Sequence, residues 1–153
     1  MARRSSPRSG SDALDGPWGY FQVFGGGFDP DRIVGTLGNP SSILDPGVSI
    51  KPYPCGCLGH PSMDAMLKLV VDRDITPEQV RRIRLRVGSN ILNPLRYRKA
   101  TTELEAKFCP AFMLSSIVLR RRAGIHEFTD EFVRTAAVQE MMERVDTVFD
   151  AGI

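Results

Sequence analysis

Histidine and cysteine are scarce in this 153-residue chain: His60 and His126 are the two histidines, and Cys55, Cys57 and Cys109 the three cysteines. An odd number of thiols, with no apolar signal region after the opening MARRSSPRSG, argues against a disulfide framework and for reduced cysteines, so a cytoplasmic location is expected. A closed zinc site needs four ligands, and Cys109 and His126 stand isolated from the C-x-C-x-x-H run of Cys55, Cys57 and His60, so no metal is expected. Long apolar runs are absent too. None approaches the roughly 18 residues needed to span a bilayer, which excludes an integral membrane protein. Charge of one sign is missing: the net value is +2, and much of the excess sits in Arg3, Arg4, Arg8 and Arg120 to Arg122, which leaves no broad basic face for nucleic acid.

What is present is the composition of a globular domain, 42% hydrophobic and 25% charged, in a chain of the length of one ordinary domain. Residues 1–12, rich in Ser, Arg, Gly and Pro, cannot bury enough apolar surface to offset the entropy of ordering them and read as a disordered tail. Residues 13–46 carry Trp18, Tyr20, Phe21, Phe24 and Phe28 among many glycines without periodicity, which predicts an irregular ordered loop whose aromatics pack on protein outside this chain. Residues 47–153 hold the periodic elements. The segment Val48–Pro54 is extended by its prolines and reads as an edge strand. Met63, Met66, Leu67, Val70 and Val71 recur at helical spacing behind Pro61, predicting a helix over 61–71. TPEQ (Thr76–Gln79) is a capping box, and RIRLRV alternates Ile83, Leu85 and Val87 with arginines as a half-buried strand does. TELE (Thr102–Glu105) is a second capping box, opening a buried helical stretch to Leu119 that Pro110 interrupts. A third helix from Thr129, carrying Phe132, Val133, Ala136, Ala137 and Met141 on one side, precedes a last strand, VDTVF. The order β, α, β, α, α, β predicts an α+β fold, with helices gathered on one face of a small antiparallel or mixed sheet. The expected core is Met63, Leu67, Val70, Ile83, Leu85, Val87, Phe108, Phe112 and Met141.

The chemistry-bearing stretch is VSIKPYPCGCLGH. Cys55, Cys57 and His60 are metal ligands in principle, and two small thiols in a tight turn otherwise. His60 stands at a helix start, where the dipole disfavours the imidazolium; the neutral ring can face a substrate or simply cap the helix. Lys51, in a stiff proline-bounded segment, can aim its ammonium at an anion beside that helix start or be an ordinary solvated lysine. The arginines of RIRLRV read as a solvated strand face rather than a phosphate ribbon, and Gly25–Gly27 lacks the strand and helix flanks of a nucleotide loop.

Taken together, LGNPSSILDPGVSIKPYPCGCLGHPSMDAMLKL, ITPEQVRRIRLRV and ELEAKFCPAFMLSSIVL resemble the MmgE/PrpD family, which includes 2-methylcitrate dehydratase, cis-aconitate decarboxylase and iminodisuccinate epimerase. The similarity runs from about Ala13 to Val145, carried by the K-P-Y-P-C, H-x-x-x-D-A and E-A-K-F segments in this order. It implies the smaller, lid-like α+β domain of those enzymes, with the large helical domain and its acid/base residues absent and both ends of this chain cut. The implied activity is that of a cofactor-independent lyase, a hydro-lyase of the 2-methylcitrate dehydratase kind, or an isomerase, acting on a di- or tricarboxylate, with a homodimer as assembly. The site residues carried over are His60 as catalytic residue and Lys51 and Cys55 as substrate-binding residues. Cys109 and Phe112 stand where the family usually has serine and tyrosine, which leaves the other expectation, a non-catalytic α+β remnant serving in binding or oligomerisation.

Overall fold

The computed structural model describes residues 12–25, 28–38 and 40–153. The expected disordered tail, apart from Asp12, and the glycines Gly26 and Gly27 lie outside the described residues. The chain divides into two units, Met1–Ser49 and Ile50–Ile153.

In the first unit the aromatics are not an irregular loop. Tyr20–Gly25 forms α1 and Pro30–Val34 forms α2, started by Asp29, whose carboxylate accepts the Asp31 N–H at 3.1 Å. Spacing of four places Tyr20 and Phe24 on one side of α1, where their rings stack at 4.9 Å, and Phe21 stacks on Phe28 at 4.2 Å. The rings thus touch one another but remain uncovered, Trp18 91%, Phe24 77% and Tyr20 57% exposed.

The second unit is built around one helix that is buried on every side. A 3₁₀ turn at Cys57–Gly59 leads into α3 (His60–Asp72), and a second at Pro77–Gln79 precedes β1 (Ile83–Val87). The short α4 (Ser89–Leu92) and α5 (Glu103–Ala106) follow, then α6 (Pro110–Arg120), α7 (Asp130–Val133), α8 (Ala136–Glu143) and β2 (Val145–Phe149). Every residue of α6 from Pro110 to Val118 is buried, so α6 is the central element, and α3, α8 and β2 all pack on it. Phe112, fully buried, meets the rings of Phe128 at 5.1 Å and Phe132 at 6.2 Å, both edge-on.

Both capping boxes form. Thr102 Oγ1 accepts the Glu105 N–H at 3.3 Å, and the Glu105 carboxylate accepts the Thr102 N–H at 3.2 Å and the Thr101 N–H at 2.7 Å. Gln79 likewise accepts the Thr76 N–H at 2.9 Å. The break at Pro110 also stands where expected, between α5 and α6.

Four expectations are corrected. Val48–Pro54 is not a strand; prolines at 52 and 54 leave no N–H to offer a ladder, and the chain turns instead, the Cys55 N–H reaching the Tyr53 carbonyl at 2.9 Å. The sheet among the described residues is two-stranded and parallel, Ile83 opposite Val145 and Val87 opposite Phe149, rather than antiparallel or mixed. The helices between β1 and β2 are what allow this, because a parallel pair needs a long crossover. The third helix is two, α7 and α8, parted at Thr135, whose hydroxyl donates to the Phe132 carbonyl at 2.9 Å. In the core, Met63, Val70, Val87, Phe112 and Met141 are buried, Leu67, Ile83 and Leu85 are half-buried, and Phe108 is 37% exposed.

Candidate functional site

The turn from Lys51 to His60 is fixed by its prolines together with contacts to α5 and α6. Pro52 and Pro54 restrict the backbone, and the Gly56 N–H donates to the Lys107 carbonyl at 2.8 Å, tying the turn to the end of α5. Gly59 lies against the buried Met113: a Cβ there would meet Met113 Sδ at 2.5 Å, so that side chain would have to shift. The chain then enters α3 with Gly59 as cap and His60 as its first residue, Pro61 following in the first turn.

Lys51 is exposed, and its ammonium donates to the Cys55 carbonyl at 3.4 Å, bending the side chain back over the turn. Cys55 faces the other way. It is 5% exposed, its Sγ lies 3.6 Å from Met63 Sδ, and burial pushes its thiol up to about 11 against the opposing pull of Lys51. Cys57, two residues on, is exposed. Among the described residues no group of three histidine, cysteine or acidic side chains converges to hold a metal.

His60 is 8% exposed, and its Nε2 has no hydrogen-bond partner. A buried nitrogen left open is uncommon, and here it sits at the N-terminal end of a 13-residue helix. The edge of the Tyr53 ring meets the imidazole with centroids 5.3 Å apart, and the Tyr53 hydroxyl donates to Asp64 Oδ1 at 2.6 Å. Burial first, then that carboxylate, pushes the Tyr53 phenol up to about 12, so it stays a donor. The fold therefore gathers Lys51, Tyr53, Cys55, His60 and Asp64 about one turn. Sequence reasoning passed over Tyr53 and Asp64. The signal for Asp64 was its spacing of four from His60, which puts both on one face of α3.

Cys109 and Phe112 lie in the interior. Cys109 is fully buried at the cap of α6, and burial pushes its thiol up to about 11, opposed by the N–H groups of Phe112 and Ala111. Glu127 is a buried carboxylate with a structural task. Burial opposes its ionisation, but the Gly124 N–H at 2.8 Å and Arg122 at 2.7 Å outweigh that and hold it below the usual glutamate range.

One α+β domain, organised on a central buried helix and carrying a stiff lysine turn ahead of a helix that opens on a buried histidine, is the class these features define. Residues 53–153 match the MmgE/PrpD C-terminal domain, and the chain belongs to the MmgE/PrpD family. No curated protein matches the chain. Among the described residues no helix is long and apolar enough to cross a membrane.

Proposed function

We propose that this chain forms one wall of the site of a cofactor-independent lyase or isomerase acting on a di- or tricarboxylate, of the 2-methylcitrate dehydratase kind, working as a cytoplasmic homodimer. The observation that carries the reading is the open Nε2 of buried His60 in the same turn as the exposed ammonium of Lys51. Removing a proton or a carboxyl group next to a carboxylate needs a cation to hold the substrate and an acid/base group within hydrogen-bond reach. Lys51 supplies the cation. Cys55 serves substrate binding through its carbonyl, which holds the ammonium at 3.4 Å, because its buried thiol stays protonated at neutral pH. His60 gives or takes one hydrogen bond at the substrate. The facing acid/base residues belong to the helical domain that the family resemblance implies.

On this reading the 153-residue chain alone leaves its substrate open to water, so Coulombic contacts stay weak and the proximity advantage is lost. The purified chain is expected to show no dehydration of 2-methylcitrate and no decarboxylation of cis-aconitate when the unsaturated product is followed by ultraviolet absorbance. Turnover would refute the one-wall reading. Where these residues are joined to a helical domain, Lys51→Ala and His60→Ala should each lower kcat/KM by more than about tenfold, or about 1.4 kcal/mol. Kinetics unchanged by both substitutions would support the rival reading, a non-catalytic binding or oligomerisation module. That rival is favoured by Cys109 and Phe112, which offer a buried thiol and a bare ring where the family usually carries hydroxyls.

A further inference from the structure

A cavity of about 570 Å³ lies between the 92–99 segment and β2, within the size range of small-molecule sites. Lys51, Cys55 and His60 do not line it. By burial, Leu95 and Met142 form an apolar floor, Phe149, 55% exposed, flanks it, and the exposed Arg96, Arg98 and Lys99 stand on the rim. The rim is held in place. Leu95 and Ala100 are buried at either end of it, the Leu95 N–H donates to the Ile91 carbonyl at 3.0 Å, the Tyr97 N–H to the Phe108 carbonyl at 3.2 Å, and the Gln139 amide to the Ala100 carbonyl at 3.0 Å. The Arg96 guanidinium lies 5.4 Å from the centre of the Tyr97 ring, a cation–π contact that holds the charge near the cavity mouth.

The charges do not cancel. Glu143 and Asp146 also line the cavity, but Lys99 pairs with Glu143 at 2.5 Å and Arg82 pairs with Asp146. Arg96 and Arg98 are left, among the described residues, without a carboxylate in ion-pair reach. Two uncompensated guanidiniums over an apolar floor call for a ligand with both properties. An arginine fork matches a carboxylate with two parallel hydrogen bonds, and a bare anion would leave the floor unused.

We propose that this cavity binds an organic acid, its carboxylate taken by Arg96 and Arg98 and its apolar body laid against Leu95, Met142 and Phe149. The proposal does not depend on the chemistry assigned above to Lys51 and His60. The test titrates the full chain with benzoate, benzyl alcohol and inorganic phosphate, followed by calorimetry and by the amide resonances of the protein. Benzoate is expected to bind more tightly than either of the others, with shifts concentrated at 92–99 and 145–149. Arg96→Ala and Arg98→Ala, both at exposed positions, should each weaken benzoate by about tenfold or more, the loss of one charge-assisted contact. Arg73→Ala, an exposed charge that does not line the cavity, should leave benzoate binding unchanged, and the place of the shifts, 92–99 and 145–149 rather than 51–64, separates this site from the proposed catalytic turn. Absence of benzoate binding, indifference to both arginine substitutions, or phosphate or benzyl alcohol binding as tightly as benzoate would overturn the proposal.

Discussion

The three cysteines divide by burial, and their chemistry should divide with them. Cys57 is exposed, while Cys55 and Cys109 are buried with thiols pushed up to about 11. In the native chain one thiol, Cys57, should react quickly with a maleimide or a disulfide reagent, and the other two only on unfolding. Two fast thiols, read by mass spectrometry of the labelled peptides, would contradict the burial. The same shifts set a pH dependence. An unfolded cysteine ionises near about pH 8.5 to 9, whereas the folded chain keeps both protons to about 11, so the unfolded state binds fewer protons in between and stability falls as pH rises through that window. Cys109, fully buried, accounts for a slope of up to about 1.4 kcal/mol per pH unit. Urea midpoints measured from pH 8 to 10.5 should decline accordingly, and less steeply in Cys109→Ala. At this scale the sequence marked Lys51, Cys55 and His60 as a group, since ten residues contain them all. It did not say that the sulfur of Cys55 points inward while its carbonyl points at Lys51, because that depends on the turn at Tyr53 and on Met63 beneath it.

Elements with local signals, and the two strands marked by RIRLRV and VDTVF, were legible, while one supposed edge strand, one helix break and the direction of pairing were not. The capping boxes at Thr76 and Thr102 and the stop before Pro110 depend on side chains within four residues of the backbone groups they satisfy, so they are visible in one dimension. Thr102→Ala, which leaves the Glu105 N–H without its cap, should therefore cost about 1 kcal/mol in chemical denaturation. A loss near zero would mean that α5 is held by its neighbours alone. The expected edge strand fails because extended dihedrals are necessary for a strand but a partner makes it one, and among the described residues Val48–Pro54 has none. The break between α7 and α8 was hidden by Phe132, Val133, Ala136 and Ala137, whose apolar spacing runs on through a turn. The Gln139 amide bridges that turn, donating to the Val133 carbonyl at 2.7 Å. Parallel pairing of β1 with β2 was equally illegible, since alternation in RIRLRV and VDTVF carries no direction.

Over the whole molecule, the family and the α+β class were legible, the first from three motifs in fixed order and the second from the element count. The cavity beside β2 was not, because residues some fifty positions apart line it and only the crossover from β1 to β2 brings them together. Two cationic features result: Lys51 beside the buried His60 in one turn, and Arg96 and Arg98, unpaired among the described residues, at the cavity. The functional reading rests on the first. Its most direct test is an amide-resonance titration of the 153-residue chain with 2-methylcitrate, in the wild type and in Lys51→Ala. Shifts at residues 51–64, weakened by about tenfold in Lys51→Ala as expected for the loss of a charge-assisted contact, are the predicted result. Shifts absent from 51–64, or present there and indifferent to Lys51→Ala, would contradict a carboxylate-binding wall at this turn.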